Sequence, residues 1–265
     1  MVYVHNIDPI LIEYGMFQVR WYGTLWALGI IFVWILFKKL LKEYKIKKDH
    51  SLLEEHQQLD FLTYVVLGTV LGARIFYVLF YNFFYYLENP LKTFAIWEGG
   101  LSFHGGLIGG VIVGYYYCKK HDKDFWAIAD LIAVPLGIAL FLGRIGNFIN
   151  SELIGRRVSE TFSLAVDFGD GPRHPSQLYE AAKNLVIFGY LYWRKNKYYH
   201  KGVLFIQFIM LYSVFRFIIE YFRKPDDQIG YLAFGLTMGQ YLNIFLFIVA
   251  LWFYIKLDKI EIYYK

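Results

Sequence analysis

Four charged side chains are the residues whose types and positions could do chemistry. They interrupt long apolar stretches of the chain, and they are Arg74, Arg144, Arg216 and Glu220. A charge at membrane depth costs roughly 2.5–3.5 kcal/mol on insertion scales, so each of the four needs a pairing or binding role. Guanidinium groups match phosphate bidentately, and the excess of arginine over carboxylate therefore favours an anionic ligand.

The first arginine lies in the run from Gly143 to Gly155. On a helix, Arg144, Asn147 and Ser151 fall at positions i, i+3 and i+7 and share one face. Glu152 follows just beyond. The spacing therefore predicts one polar face led by an arginine.

A second polar face is predicted further along the chain, at similar depth. Its members fall at i, i+4, i+8 and i+11 on a helix, and they are Tyr212, Arg216, Glu220 and Arg223. We expect the two faces to converge on a shared, positive, aromatic-lined cavity that opens outward and suits a phospholipid head group. The alternative is an internal ion-pair network that fixes helix register, for example Glu220 with Arg216 or Arg223.

Two histidines lie in short polar motifs. His104 follows Trp97-Glu-Gly-Gly-Leu-Ser-Phe and precedes two more glycines, which allow a close backbone approach. A lone histidine in an apolar stretch is often only packed and hydrogen-bonded, but these neighbours favour a function. For His174 the structural interpretation is stronger, since Ser176 resembles a helix N-cap and Glu180 suits the positive first turn.

The composition places these residues in an all-α polytopic membrane protein. The chain has 265 residues, of which 57% are hydrophobic, 21% aromatic and 18% charged. Soluble domains are about 45–50% apolar and about 25% charged. Seven stretches approach the roughly 20 apolar residues of a spanning helix: 21–41, 60–81, 99–118, 126–149, 177–193, 202–222 and 234–256.

The placement of lysine and arginine predicts the orientation. These residues concentrate in the loops after the first, third and fifth stretches and in the C-terminal tail, which marks those segments as cytoplasmic. The N-terminus is then outside, and a small extracytoplasmic segment covers about 152–175. In that segment the alternating pattern over 161–167 indicates a short strand or hairpin. The net charge of +5 is a topology signal and does not indicate nucleic acid. We expect a single domain, 1–265, with no metal or cofactor and with Cys118 as a small buried residue.

Six segments in order along the chain resemble the prolipoprotein diacylglyceryl transferases of bacteria. They are Arg20–Gly23, Gly72–Asn82, Trp97–Gly110, Gly143–Gly155, His174–Glu180 and Arg216–Asp226. The run Gly143–Gly155 is the most specific of them. The outer segment between Gly155 and His174 is short for the family. The resemblance also implies seven spans with the N-terminus outside.

The resemblance implies an activity and a location. The family transfers the diacylglyceryl group of phosphatidylglycerol to the lipobox cysteine thiol of a prolipoprotein signal peptide, and glycerol phosphate leaves. Such an enzyme lies in the bacterial cytoplasmic (inner) membrane, in contact with membrane lipid, with its active site towards the extracytoplasmic leaflet.

The resemblance also implies residue roles. Arg144 and Arg216 bind the phosphate and stabilise its charge, and His104 is the candidate general base for the thiol. Head-group binding and orientation of the arginines fall to Asn147, Glu152, Gly155, Tyr22 and Tyr212. Glu220 and Arg223 are expected to support Arg216, and Arg74 is expected to be a further phosphate contact.

Two other classes of protein remain as alternatives. A transporter or translocase for an anionic lipid or phosphate compound would use the same positive cavity, although no internal repeat is visible in the sequence. An intramembrane hydrolase would need a nucleophile–base pair or a metal set, and the chain has neither Gly-x-Ser-x-Gly nor His-Glu-x-x-His. Only a transferase would leave a diacylglyceryl group on a cysteine.

Overall fold

The computed structural model describes residues 2–15, 17–47, 52–197, 200–225 and 230–261. Over this part of the chain it has eight α-helices: α1 (Trp21–Lys47), α2 (Glu55–Phe80), α3 (Phe83–Glu88), α4 (Phe103–Lys120), α5 (Phe125–Ile149), α6 (Ser176–Arg194), α7 (Val203–Ile219) and α8 (Met238–Glu261). Seven of them overlap the seven predicted stretches. The short helix α3 was not predicted.

Five of these helices, α1, α2, α5, α7 and α8, are long and apolar enough to cross a membrane. The remaining long helices, α4 and α6, have 18 and 19 residues and are more polar. Helix α4 contains three successive tyrosines and ends in two lysines. Helix α6 buries several polar side chains, which lower its mean hydropathy. The chain is therefore mostly helical, with several helices suited to a membrane.

The chain divides into two compact units. The first comprises residues 1–37, 129–225 and 231–265, and the second comprises 38–128 and 226–230. The single domain of the sequence interpretation stays a prediction.

In the second unit, α2 and α4 pack backbone to backbone. A Cβ added at Gly72 or Gly68 would meet the main chain of α4 at Gly105 or Gly109. Such closeness lets two helices associate through van der Waals contact alone. In the sequence, glycines four residues apart indicate close packing between spans without identifying which spans meet: Gly68 and Gly72 in one stretch, and Gly106, Gly110 and Gly114 in another. The closest approach is one residue earlier, because the two faces meet slightly rotated from the predicted line.

In the first unit, α6 and α8 pack on α7, and α5 lies against α6, where a Cβ added at Gly137 would meet Asn184 and Phe188. Ile187 and Leu191 of α6 and Leu204 and Phe208 of α7 are fully buried or nearly so. In water, burying side chains of this size contributes roughly 1.5–3 kcal/mol each. In a membrane, van der Waals packing between the helices is the main contribution instead. These apolar contacts hold α6 and α7 side by side.

A carboxylate fixes the start of α7. Asp130 of α5 accepts hydrogen bonds from the backbone N–H groups of Gly202 at 2.7 Å and Phe205 at 2.8 Å. The first N–H groups of a helix lack partners within the helix. A negative charge at this end is also stabilised by the positive end of the helix dipole. Asp130 therefore fixes the position of α7 along α5.

Five short strands complete the first unit. Strands β1 (Tyr3–Val4), β4 (Val166–Asp167) and β5 (Pro172–Arg173) form one sheet, and β2 (Ile10–Tyr14) pairs with β3 (Phe17–Arg20). The alternating pattern over 161–167 predicted a strand or hairpin, and the structure has a strand only at its end. The β4–β5 turn is held by Arg173 Nε, which donates to Asp170 Oδ1 at 2.7 Å. That hydrogen bond and the arginine charge lower the pKa of the Asp170 carboxyl.

Candidate functional site

A buried carboxylate on α6 is the centre of the candidate site. Glu180 is 2% exposed and has cations from three helices around it. Arg216 Nη1 of α7 lies 2.7 Å from Oε1. Lys183 Nζ of α6 itself lies 2.9 Å from Oε2, and Arg144 Nε of α5 lies 3.6 Å from the same oxygen. The two arginines predicted to converge therefore do so, on a residue that the sequence had assigned to a helix end.

A second carboxylate extends this cluster through Arg216. Glu220 Oε2 lies 2.7 Å from Arg216 Nη2 and 4.0 Å from Arg223 Nη1. Thr237 Oγ1 donates to Glu220 Oε1 at 3.0 Å. Arg216 therefore bridges two carboxylates with its two terminal nitrogens, which fixes the plane of its guanidinium.

Helix α5 contributes a polar chain that starts at Arg144. Arg144 Nη1 donates to Asn147 Oδ1 at 3.4 Å, and Asn147 Nδ2 donates to Glu152 Oε2 at 3.0 Å. The predicted face extended to Ser151, and this is wrong because α5 ends at Ile149. Ser151 has a φ of +55° in the turn that follows. That turn, and not a further helical turn, brings Glu152 back to Asn147.

Gly155 has a packing role in this segment. A Cβ at Gly155 would meet the carbonyl oxygens of His174 and Phe222. Its own carbonyl oxygen accepts a hydrogen bond from Arg173 Nη1 at 2.9 Å. The glycine therefore lets the segment after α5 lie directly against the segment before α6.

His174 has the structural surroundings that the sequence favoured. Its Nδ1 lies 3.1 Å from the hydroxyl of Tyr179, and its ring meets Phe162 and Phe222 edge-on. Burial, with a smaller contribution from the charge of Arg156, lowers the pKa of the imidazole. These surroundings therefore disfavour the charged form of His174.

The predicted N-cap of α6 is wrong by one residue. Pro175 occupies the N-cap position. Ser176 is the first helical residue, and its Oγ donates to the backbone oxygen of Leu153 at 2.9 Å. Gln177 Nε2 donates to the backbone oxygen of Glu152 at 2.6 Å. The first turn of α6 is thus bonded to the chain that follows α5, which places Glu180 close to Arg144.

Both predicted tyrosines lie close to the cluster residues. Tyr212 of α7 is 2% exposed, and Lys183 Nζ lies 3.6 Å from the centre of its ring, in cation–π geometry. Tyr22 of α1 packs against α5, where a Cβ on Gly146 would meet its Cα and ring. Gly146 therefore brings Tyr22 to the turn of α5 that carries Arg144 and Asn147.

The second unit contains Arg74, and its position argues against the predicted phosphate contact. The side chain is buried, and the ring of Tyr86 lies 5.1 Å from its Cζ. A guanidinium has five N–H groups. Five backbone carbonyl oxygens accept from this one, those of Lys92, Thr93, Ala95, Gly99 and Gly100. Arg74 therefore holds the loop between α3 and α4. Binding a phosphate would require its guanidinium to give up some of these hydrogen bonds.

His104 lies in the first turn of α4, directly after that loop. It is 8% exposed. Ser102 is the N-cap of α4, and its Oγ accepts from Gly105 N at 3.5 Å. The backbone N–H of Ser102 donates to the carbonyl oxygen of Ala73 at 3.0 Å. The start of α4 is therefore fixed to α2, which positions His104.

Sequence reasoning missed the roles of Glu180 and Lys183. A signal was present, since Lys183 is a charge inside a predicted span and Glu180 lies three residues before it, on the same helical face. Across the parts of the chain that the structure describes, no group of three or more His, Cys, Asp or Glu side chains is arranged to hold a metal. Cys118 is buried, as expected.

Comparison with known proteins gives a consistent result over nearly the whole chain. The family model described as "Prolipoprotein diacylglyceryl transferase" matches residues 9–256. Proteins named phosphatidylglycerol–prolipoprotein diacylglyceryl transferase are similar to this chain. One from Rickettsia bellii (strain OSU 85-389) is 41% identical over 260 residues, covering 96% of each chain. One from Legionella pneumophila (strain Corby) is 41% identical over 252 residues, covering 93% of this chain and 96% of its own.

Proposed function

This chain belongs to the prolipoprotein diacylglyceryl transferase family, and on that premise we infer that it transfers the diacylglyceryl group of phosphatidylglycerol to a prolipoprotein. The structural observation that carries the proposal is the cluster in the first unit. Arg144 and Arg216 come from different helices and meet at one buried carboxylate. Among the described residues, Lys183 and Arg223 join these arginines beside the carboxylates of Glu152, Glu180 and Glu220. The guanidinium groups of this cluster suit a phosphate.

The acceptor in this proposal is the lipobox cysteine of the prolipoprotein signal peptide. Its sulfur attacks the glyceryl carbon next to the phosphate. A C–S bond forms, the C–O bond breaks with its electron pair passing to the phosphate oxygen, and the thiol proton passes to a base. The products are a thioether and glycerol phosphate. This step requires a thiolate and stabilisation of the departing anion, and the second requirement is usually the largest single contribution.

Arg144 and Arg216 make contacts of different length in the structure, and we assign their roles from these contacts. Arg216 is held by Glu180 and Glu220, with Arg223 beyond, so it presents a fixed charge to the phosphate. Arg144 makes longer contacts, at 3.6 Å from Glu180 and 3.4 Å from Asn147, and it also bonds to Tyr212; we assign it to the phosphate directly. The remaining residues proposed for head-group binding and for orienting Arg144 are Tyr22, Asn147, Glu152 and Tyr212. Gly155 permits the close packing around them, and Arg74 is assigned to the α3–α4 loop.

We further propose seven membrane spans, with α4 and α6 joining the five helices already identified. Lysines and arginines lie at one set of helix ends, among them Lys38, Lys39, Lys119, Lys120 and Arg194. Under the positive-inside rule those ends are cytoplasmic and the N-terminus is outside. Arg144, Glu180 and Arg216 lie near the opposite ends of their helices. The active site would then face the extracytoplasmic leaflet of the bacterial cytoplasmic membrane.

The proposed function is tested by a covalent product. Purified protein in detergent is mixed with phosphatidylglycerol and a lipobox peptide with one cysteine, and the peptide is analysed by mass spectrometry. We expect a mass increase of one diacylglyceryl group that survives alkaline hydroxylamine, because a thioether resists it and a thioester does not. Folded protein that binds the lipid but leaves the peptide unmodified would contradict the transferase and favour a transporter.

The proposed base role of His104 makes a separate prediction. A general base contributes typically 10²–10⁴-fold, so His104→Gln is expected to lower kcat by at least about 10²-fold. The loss should shrink as pH approaches the pKa of a free thiol, about 8.5, where thiolate forms without a base. His121→Gln, at the opposite end of α4, is the control and should keep its rate. Near-full turnover by His104→Gln at neutral pH would eliminate the base role.

A further inference from the structure

Lys183 is a buried cation of the cluster to which the proposed transfer step gives no role of its own. Its side chain is 2% exposed, and it lies on α6 three residues after Glu180, on the same helical face. The ammonium group is enclosed between the Glu180 carboxylate at 2.9 Å and the ring of Tyr212 at 3.6 Å. A cation in such surroundings is costly unless its charge serves a purpose.

Lys183 and Arg144 lie near the same oxygen of Glu180. Arg216 already occupies Oε1 of Glu180 at 2.7 Å. At Oε2, Lys183 makes the short contact, while Arg144 lies 3.6 Å away, beyond the 2.7–2.9 Å of a charge-assisted hydrogen bond. Without Lys183, a small movement would bring Arg144 onto Oε2, and its charge would be neutralised by the enzyme itself.

Solvent exposure also distinguishes Arg144 from the other two cations around Glu180. The side chain of Arg144 is 16% exposed, against 2% for Lys183 and 9% for Arg216. Of the three groups around Glu180, Arg144 is therefore the one that an incoming anion reaches most easily. Its guanidinium fork is also better suited to phosphate than an ammonium group.

We propose that Lys183 is a positioning residue for the transfer reaction: it neutralises Oε2 of Glu180 and so keeps the guanidinium of Arg144 available for the phosphate of the substrate. This inference rests on the proposed function. Lys183 itself does not touch the phosphate, and it acts through the position and net charge of Arg144. Removing it should weaken anion binding in a protein that still folds.

The test compares Lys183→Met, Lys183→Gln and Lys183→Arg in the full-length chain. Each is measured for its melting temperature, for kcat and KM with phosphatidylglycerol, and for inhibition by the product glycerol phosphate. In both neutral variants we expect the inhibition constant to rise about tenfold, equivalent to about 1.4 kcal/mol. The ratio kcat/KM should fall by a similar factor. Lys183→Arg should stay within about threefold of wild type in both quantities.

The matched control is Arg194→Met, which removes a cation from the other end of α6, where Arg194 Nε donates to Gln207 Oε1 at 3.2 Å. It should leave the inhibition constant unchanged. If Lys183 were only structural, the neutral variants would lose folded protein, and their folded fraction would bind glycerol phosphate normally. That result in either neutral variant would overturn the proposal. Absence of transfer by wild-type protein would instead contradict the proposed function.

Discussion

Arg144→Ala is expected to lower kcat/KM for diacylglyceryl transfer by about 10²–10³-fold, the loss typical when one group that stabilises a developing anion is removed. Arg144 is the most exposed of the three cations around Glu180 and the one with the longest contact to it. Its contribution is therefore expected in the transition state, where the leaving phosphate gains negative charge.

The same substitution should leave the fold nearly intact. After the loss of Arg144, Lys183 and Arg216 still neutralise Glu180 at 2.9 and 2.7 Å. The contact that is lost was the longest of the three, at 3.6 Å, and Glu180 keeps its two shorter ones. We therefore expect a small change in melting temperature beside a large loss of rate.

The measurement is the rate of the diacylglyceryl mass increase on the lipobox peptide, together with the melting temperature of the same preparation. Arg157→Ala is the matched control, because Arg157 is a 71% exposed cation paired with Asp170 at 3.9 Å. It should keep its rate. An Arg144→Ala enzyme with more than a tenth of wild-type kcat/KM would remove Arg144 from the proposed mechanism.

The convergence of Arg144 and Arg216 could be predicted because each arginine leads a polar face, and charged faces at membrane depth turn towards one another and away from lipid. Apolar residues around each arginine show which stretch is a helix, and the period shows which side chains share its face. What the period cannot show is how a helix is rotated against its neighbours. The glycine spacing therefore predicts close packing between spans but not which spans meet, and the closest glycines of α4, Gly105 and Gly109, lie one residue from the expected ones.

The features that the sequence did not show have a common physical origin in partners that are distant along the chain. The acceptors of Arg74 are backbone carbonyl oxygens of the α3–α4 loop, which a residue pattern cannot identify. Glu180 was assigned to the dipole of its own helix, and its actual partners lie on α5 and α7 as well as on α6. Ser176 lost the N-cap position because Leu153, far away in sequence, takes its hydroxyl.

Glu180→Leu is expected to cost both stability and activity. The substitution leaves Arg144, Lys183 and Arg216 facing one another around an apolar side chain. Removing one partner from a buried ionic group typically costs about 3–5 kcal/mol, because the remaining charges lose their compensation inside the protein. Arg216 would also lose one of the two carboxylates that fix its guanidinium plane, so transfer should fall below detection.

The experiment is a melting curve in detergent combined with the transfer assay. Glu160→Leu, at an exposed position, is the matched control for the same change of residue type and should alter neither quantity. Glu180→Gln keeps the shape and one acceptor oxygen, so its melting temperature should lie between those of Glu180→Leu and wild type. A Glu180→Leu protein that melts like wild type would show that the three cations do not depend on Glu180.

The two predictions together separate the two roles that charges have in this site. Arg144→Ala should lose rate and keep its melting temperature, because Arg144 is compensated by the substrate. Glu180→Leu should lose both, because Glu180 compensates the protein's own cations whether or not substrate is bound. If both variants lost stability to the same extent, the cluster would be the internal ion-pair network that the sequence left open. The phosphate would then have to bind elsewhere.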